Sequence, residues 1–389
     1  MARFSPFPGI RYAHDALALV TAPPYDVIDT DERQRLVDRH EHNVVRIDLP
    51  VEGDDPYADA ARTMRGWLAD SVLETDDPSL YLYRMSFADE AGHDHRTLGV
   101  IGALGLEPPG TGDVLPHERT TPKAKSDRLD LLRATEANLS PVWGLSLAGG
   151  LSKLLDPSDA RRVGAWRDDD GVGHELWQLS DATAIDTVTE GVSSAPVVIA
   201  DGHHRYETCL SYAQERPDLA GANATLCYVV ELVEEQLTVQ PIHRLVDGLP
   251  ADFDLLAAFE PFFDIVDVGP LDETIGERMA EQGGLVIVEA RGIRLLRPKL
   301  DAFRDGRDLD SDRLDAALAT LPAHTLTFQH GVANVARAVE RGEVDAGVLL
   351  RPPTVEQIAA TAHARDKMPP KSTFFWPKPR TGTVFRSLR

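Results

Sequence analysis

Residues 197–208, VVIADGHHRYET, constrain the fold more than any other stretch of this chain. Val197 to Ala200 read as the end of a short buried strand, Asp201-Gly202 supplies a turn, and helical periodicity follows. Tyr206, Cys209, Leu210 and Ala213 fall at i, i+3, i+4 and i+7, the apolar stripe of a helix that packs on one face. A strand that feeds straight into such a helix aims the helix start at whatever lies beyond the strand's end. The first amides of a helix lack internal partners and carry partial positive charge, so they bind anions. Gly202 permits close approach to the backbone. His203, His204 and Arg205 then place three donors at the mouth of a cleft, and Asp201 is positioned to hold a histidine or bind a metal. Zinc fits less well, because neighbouring helical residues point about 100° apart.

The rest of the chain reads as α+β, with mixed, mostly antiparallel sheets and flanking helices. Asn43 to Leu49 reads as a strand, and Asp55-Pro56 opens a helix as cap and first-turn proline. Leu80 to Phe87 and Thr97 to Leu106 read as a hairpin turning through Ala91-Gly92-His93-Asp94. Beyond Pro250 helices and strands alternate, with helices near 310–321, 332–341 and 355–363. A closing hairpin would pair residues 374–377 with 383–386. Three parts are expected: a main lobe over 1–248 that carries the ADGHHR motif, a second α/β lobe over 249–350, and a basic segment over 351–389 that returns to the cleft.

Charge narrows the function classes. Forty Lys and Arg residues against 63 Asp and Glu leave a net charge of −23. Such a surface disfavours a nucleic-acid backbone, whose binding needs a basic face. An acidic chain with only seven lysines resembles proteins of salt-rich cytoplasm, where screening shortens repulsion to about 3 Å at 1 M. No run of about 18 apolar residues suggests a membrane span. No signal-peptide core precedes the first elements, and Cys209 and Cys227 read as buried reduced thiols, so the expected location is the cytoplasm. Five of the seven lysines sit in two short segments, and residues 365–389 carry seven basic residues against one acid. That concentration points to a local site for an anion.

Two further clusters suit phosphate. The first, HERTTPKAKSDR at 117–128, combines a carboxylate, hydroxyls and cations. Lys123 and Arg128 can hold phosphate oxygens there, while Glu118 binds Mg²⁺ or accepts a proton. The second is Lys367-Met368-Pro369-Pro370-Lys371-Ser372-Thr373. Its prolines stiffen a backbone that carries Lys371, Ser372 and Thr373, and Phe374-Phe375-Trp376 anchors it. There is no GxxxxGK[ST] loop and no dinucleotide fingerprint. Gly99, Gly102 and Gly105 read as strand residues.

Taken together, PPYDVI (23–28), the HERT and DR stretch (117–128), NLSPVWGL (138–145), IADGHHRYET (199–208), IHRLV (242–246) and MPPKSTFFWPK (368–378) resemble the family catalogued as domain of unknown function 1015. Its members look related to free L-serine kinases, whose nucleotide-binding core is similar to the ParB/sulfiredoxin fold. Those kinases hold phosphate on a similar turn at a helix start.

The resemblance implies ATP-dependent phosphorylation of free L-serine to O-phosphoserine. Gly202, His203, His204 and Arg205 would form the phosphate cradle, and Lys123, Arg128 and Lys371 would neutralise charge. Asp26 or Glu118 would act on the acceptor hydroxyl, the choice between them left open. Asp201 would orient a histidine or share Mg²⁺ with Glu118. A ParB-like nucleotide-binding regulator and a phosphatase built on the same anion site are the alternatives.

Overall fold

The computed structural model describes residues 1–88, 92–108, 110–117, 125–304 and 306–389. By internal contacts the chain divides into two units, residues 1–238 with 377–389, and residues 239–376. No helix among the described residues is long and apolar enough to cross a membrane.

The first unit is built on one large mixed sheet. Its main path runs Val114–Pro116, Val197–Asp201, Val142–Ser146, Ala224–Glu231, Asp94–Gly105, Leu73–Ala88, Phe7–Tyr12, Phe385–Ser387 and Ala137–Asn138. Two pairings are parallel: Val197–Asp201 with Val114–Pro116, and Ala224–Glu231 with Val142–Ser146. The others with a defined register are antiparallel, including the expected hairpin, in which Tyr81 lies opposite Ile101. Its turn residue Ala91 lies outside the described residues. Gly99, Gly102 and Gly105 lie in the strand Asp94–Gly105, at positions where neighbours leave little room for a side chain. A Cβ on Gly99 would lie 2.5 Å from the Val229 carbonyl oxygen.

The helix His203–Glu215 packs on the Val142–Ser146 and Ala224–Glu231 strands and against the helix Lys125–Thr135. Tyr206 and Cys209 enter the core with Val197, Ile199, Cys227 and Val229, as the apolar stripe requires, while Leu210 and Ala213 pack against its edge. Both cysteines are buried free thiols. Asp55 caps the helix Pro56–Ala69, accepting from Ala58 N–H at 3.0 Å.

Two expectations are corrected here. Residues 43–49 do not form a strand; Val45–Asp48 is a short helix. Asn43 initiates it, its Oδ1 accepting from Val45 N–H at 3.0 Å while its Nδ2 donates to Leu19 O at 2.7 Å. Val44, Val45 and Ile47 are fully buried, and a segment this short repeats its pattern too few times to separate strand from helix. The closing hairpin is also absent. Phe385–Ser387 pairs instead with Phe7–Tyr12 and Ala137–Asn138. Pro377 and Pro379 lack the N–H groups that a continuing ladder needs.

The second unit centres on an antiparallel six-stranded sheet in the order Phe263–Val266, Gly292–Pro298, Leu285–Glu289, Ala346–Leu349, His243–Asp247, Thr325–Gln329. Alternate residues feed two cores. Leu285, Ile287 and Val348 pack with the helices Leu255–Phe259 and Asp310–Leu318. Val286, Val288 and Leu349 pack with Ile275–Gln282 and Val332–Glu340. A sheet apolar on both faces has to be covered on both. The expected 355–363 helix forms with a complete capping box between Thr354 and Gln357.

Candidate functional site

The strand Val197–Asp201 ends at a carboxylate that two cations hold. Asp201 Oδ1 lies 2.7 Å from Lys378 Nζ, and its Oδ2 accepts from Arg205 Nη2 at 2.5 Å, one helical turn on. Lys378 also donates to Asp26 Oδ2 at 2.8 Å. Asp26 sits in the short 3-10 helix Tyr25–Val27, which follows two prolines. Arg205 donates in turn to Pro141 O and, at 3.4 Å, to Ser140 Oγ. PPYDVI, the Ser-Pro of NLSPVWGL, the ADGHHR turn and the final lysine of MPPKSTFFWPK thus meet in one ion-pair chain, Asp26–Lys378–Asp201–Arg205.

The electrostatics fix the charges of this chain. Burial works against the charge on Asp201, but Lys378 and Arg205 outweigh it and hold the carboxyl at about 2. Burial likewise opposes the charge on Lys378, yet Asp201 and Asp26 keep its ammonium above the ordinary lysine value. Asp201, Arg205 and Lys378 are therefore all ionised at neutral pH.

Gly202 lies between this array and the helix. It is the N-cap of His203–Glu215, with φ +87°. The first internal bond of the helix runs from Tyr206 N–H to Gly202 O at 2.9 Å. The amides of His203, His204 and Arg205 precede it, and Gly202 has no side chain with which to cap them. The Tyr206 hydroxyl fixes the helix by accepting from Glu107 N–H at 2.8 Å and donating to Glu107 O at 3.1 Å. The His203 ring lies 5.0 Å from that of His117. His117 Nδ1 donates to the Ile199 carbonyl, which fixes the proton on that nitrogen. His204 follows, half-buried, on the first turn.

A Cβ at residue 202 would sit 3.0 Å from Arg205 Cζ and Nε. Gly202→Ala would therefore combine a left-handed backbone, costing about 1–2 kcal/mol, with displacement of Arg205. Thermal unfolding should fall by roughly 2–6 °C, and an unchanged midpoint would show that the turn relaxes freely.

Arg128, the one described cation of the 117–128 cluster placed in this wall, is buried. Its Nη1 donates to Asp48 O at 2.7 Å and lies 3.3 Å from Asp48 Oδ1, and the Tyr25 ring covers the guanidinium at 4.3 Å. A cavity of about 50 Å³ opens beside it, walled by Tyr25, Asp48, Arg128, Ser140, Arg205 and Thr208 among others. Asp48 Oδ2 and Thr208 Oγ1 are buried there without a partner among the described residues. Burial pushes the Asp48 carboxyl up, against the pull of Arg128 and Arg205.

The structure thus brings together Asp26, Asp201, Gly202, His203, His204, Arg205 and Arg128. Arg205 is not at a cleft mouth, however. It is 9% exposed and committed to protein acceptors, because Asp201 one turn before it draws it inward. Each oxygen of Asp201 is held by one cation, and the described residues contain no group of three or more metal-ligating side chains. Glu118 and Lys123 lie outside the described residues. Lys371, Ser372 and Thr373 belong to the second unit, where Lys371 has φ +59° and the Ser372 hydroxyl bonds Pro369 O at 2.8 Å.

Two residues of the site went unassigned in the sequence. Lys378 counts among the clustered lysines, and its place in Pro377-Lys378-Pro379, after an apolar anchor, signals a buried cation. Asp48 is the one carboxylate of the segment VVRIDL, whose other charged residue is Arg46.

Residues 4–317 match the model of a family described as "Protein of unknown function (DUF1015)". Among solved structures, a conserved hypothetical protein from Pyrococcus furiosus is 14% identical, with a TM-score of 0.39 over 71% of this chain and 92% of its own. A free serine kinase in complex with ADP is 13% identical, with a TM-score of 0.38 over 68% of this chain and 84% of its own. SbnI with C-terminal truncation, from Staphylococcus aureus, is 10% identical, with a TM-score of 0.39 over 73% and 85%. A search of curated proteins gives no match.

Proposed function

The chain belongs to the DUF1015 family, and from that premise and the chemistry of the site we propose that it is an ATP-dependent kinase of a small hydroxyl-bearing amino acid, L-serine. The observation that carries this reading is the Asp26–Lys378–Asp201–Arg205 array closing on the start of a 13-residue helix. Phosphoryl transfer asks a protein for positioning and charge neutralisation rather than covalent chemistry. The amides at 203–205 and the imidazoles of His203 and His204 would receive phosphate oxygens, and Lys378 would offset the charge that builds on them.

The acceptor's hydroxyl oxygen would attack the γ-phosphorus as the bond to the β,γ-bridging oxygen breaks. Asp26, held at 2.8 Å by Lys378, would take the hydroxyl proton. The small cavity next to the array, with Asp48 Oδ2 unbonded and two guanidinium groups in its wall, matches the opposite charges of an amino-acid zwitterion. The Mg²⁺ of the reaction would enter with ATP as substrate.

Purified protein incubated with MgATP and an amino-acid mixture in concentrated salt should form O-phosphoserine and ADP in equal amounts, read by mass spectrometry. Phosphate release without a phosphorylated acceptor would make the protein a hydrolase. Tight nucleotide binding without turnover would make it a nucleotide-binding regulator.

A further inference from the structure

Two of the segments that carry the family resemblance, IHRLV and MPPKST, take no part in the array described above. Both lie in the second unit. Arg244 ties them together: it is 1% exposed, donates through Nη1 to Ile242 O at 2.7 Å and through Nη2 to Pro370 O at 3.4 Å, and lies 4.7 Å from the Phe328 ring. Next to this junction is a cavity of about 700 Å³, a size that suits a small organic molecule.

The buried lining of the cavity includes polar groups in three different states. Asp310 is saturated, its oxygens accepting from Arg351 N–H at 3.0 Å, Nε at 2.9 Å and Nη2 at 2.6 Å. Ser311 and Ser372 bond each other at 3.0 Å. His243 differs. It is 2% exposed, and its Nδ1 accepts from Leu350 N–H at 3.2 Å, so the ring proton sits on Nε2. No described residue accepts from that Nε2, although the ring lines the cavity. Around it Ile275, Met279, Leu309 and Leu350 supply apolar wall. Burial, with His330 and Arg244 acting in the same direction, holds the imidazole at about 4, so the donor is uncharged.

We propose that this cavity is a second small-molecule site, taking an uncharged, mainly apolar compound whose carbonyl oxygen accepts from His243 Nε2–H. An N–H left unpaired beside an apolar wall selects an acceptor oxygen, since burying that donor unmet is costly. A neutral imidazole next to a charge-balanced Asp310–Arg351 pair gives no net attraction to an anion.

A neutral fluorophore with a ketone, 6-propionyl-2-(dimethylamino)naphthalene, tests this on the full chain. Expected is saturable binding at one site, with blue-shifted emission. Gly276 lines the cavity, is exposed on its helix, and would meet nothing within 4 Å on gaining a Cβ, so Gly276→Trp should fold and abolish binding. His243→Phe should keep the apolar wall but weaken binding about tenfold and shift emission further to the blue. The ATP-dependent activity proposed for the first unit should survive Gly276→Trp. Unchanged binding in Gly276→Trp, absence of binding in the parent protein, or preference for the anionic probe 1-anilinonaphthalene-8-sulfonate would each overturn the proposal. If His243→Phe fails to fold, Gly276→Trp decides alone.

Discussion

Lys378→Met should lower ATP-dependent phosphorylation by roughly 10²–10³-fold, comparable to removing one preorganised donor from an anion-stabilising site. Methionine keeps the length and apolar stem of the side chain but removes the ammonium that joins Asp26 to Asp201. The two carboxylates then face phosphate oxygens with Arg205 alone to offset them, and Arg205 is already engaged by Pro141 O and Asp201. Acid stability should move as well. A carboxyl held at about 2 contributes stability that is fully present above its unfolded value near 3.9 and is lost as pH falls through 2. Without Lys378 the folded value rises, so the acid limb of the unfolding curve should begin at higher pH. Lys378→Arg keeps the charge and should restore the acid limb but only part of the turnover, since a planar guanidinium reaches both carboxylates with different geometry. Wild-type turnover in folded Lys378→Met would remove the lysine from the site.

Arg205→Ala should act mainly on stability. Breaking a buried ion pair leaves an uncompensated partner and costs about 3–5 kcal/mol, on the order of 10 °C in the unfolding midpoint. The Pro141 carbonyl and Asp201 Oδ2 both lose their donor, and the end of the Val197–Asp201 strand loses its tie to residues 140–141. Differential scanning calorimetry in concentrated salt reads the effect directly, because a pair 10% and 18% exposed is little screened. A shift below 2 °C would mean that Arg205 spends much of its time turned toward solvent.

The difference between these two variants follows the line between what local sequence encodes and what it does not. The strand, turn and helix around Asp201 were legible because period, turn chemistry and the placement of Tyr206 and Cys209 all agree over a dozen residues. The glycines of Asp94–Gly105 were legible as strand because nothing near them resembled a phosphate loop. Residues 45–48 misled because Val45-Arg46-Ile47-Asp48 alternates apolar and charged residues as a strand does, and a single asparagine decided in favour of helix. Arg205 misled for another reason: its direction depends on an acceptor at residue 141, which no local pattern announces. Lys378 meets Asp26 across 352 positions of sequence, and only the three-dimensional path of the sheet makes them neighbours.

That path has a consequence for synthesis on the ribosome. The strand Phe385–Ser387 lies inside the first unit's sheet, between Phe7–Tyr12 and Ala137–Asn138, while residues 239–376 intervene in the chain. A nascent chain that has emerged only as far as residue 376 holds Asp26, Asp201 and Arg205 but lacks both the lysine that joins the two carboxylates and the strand that fills the gap in the sheet. Unfinished copies would therefore carry two like charges side by side and an unpaired strand edge, the kind of state that chaperones hold and proteases clear.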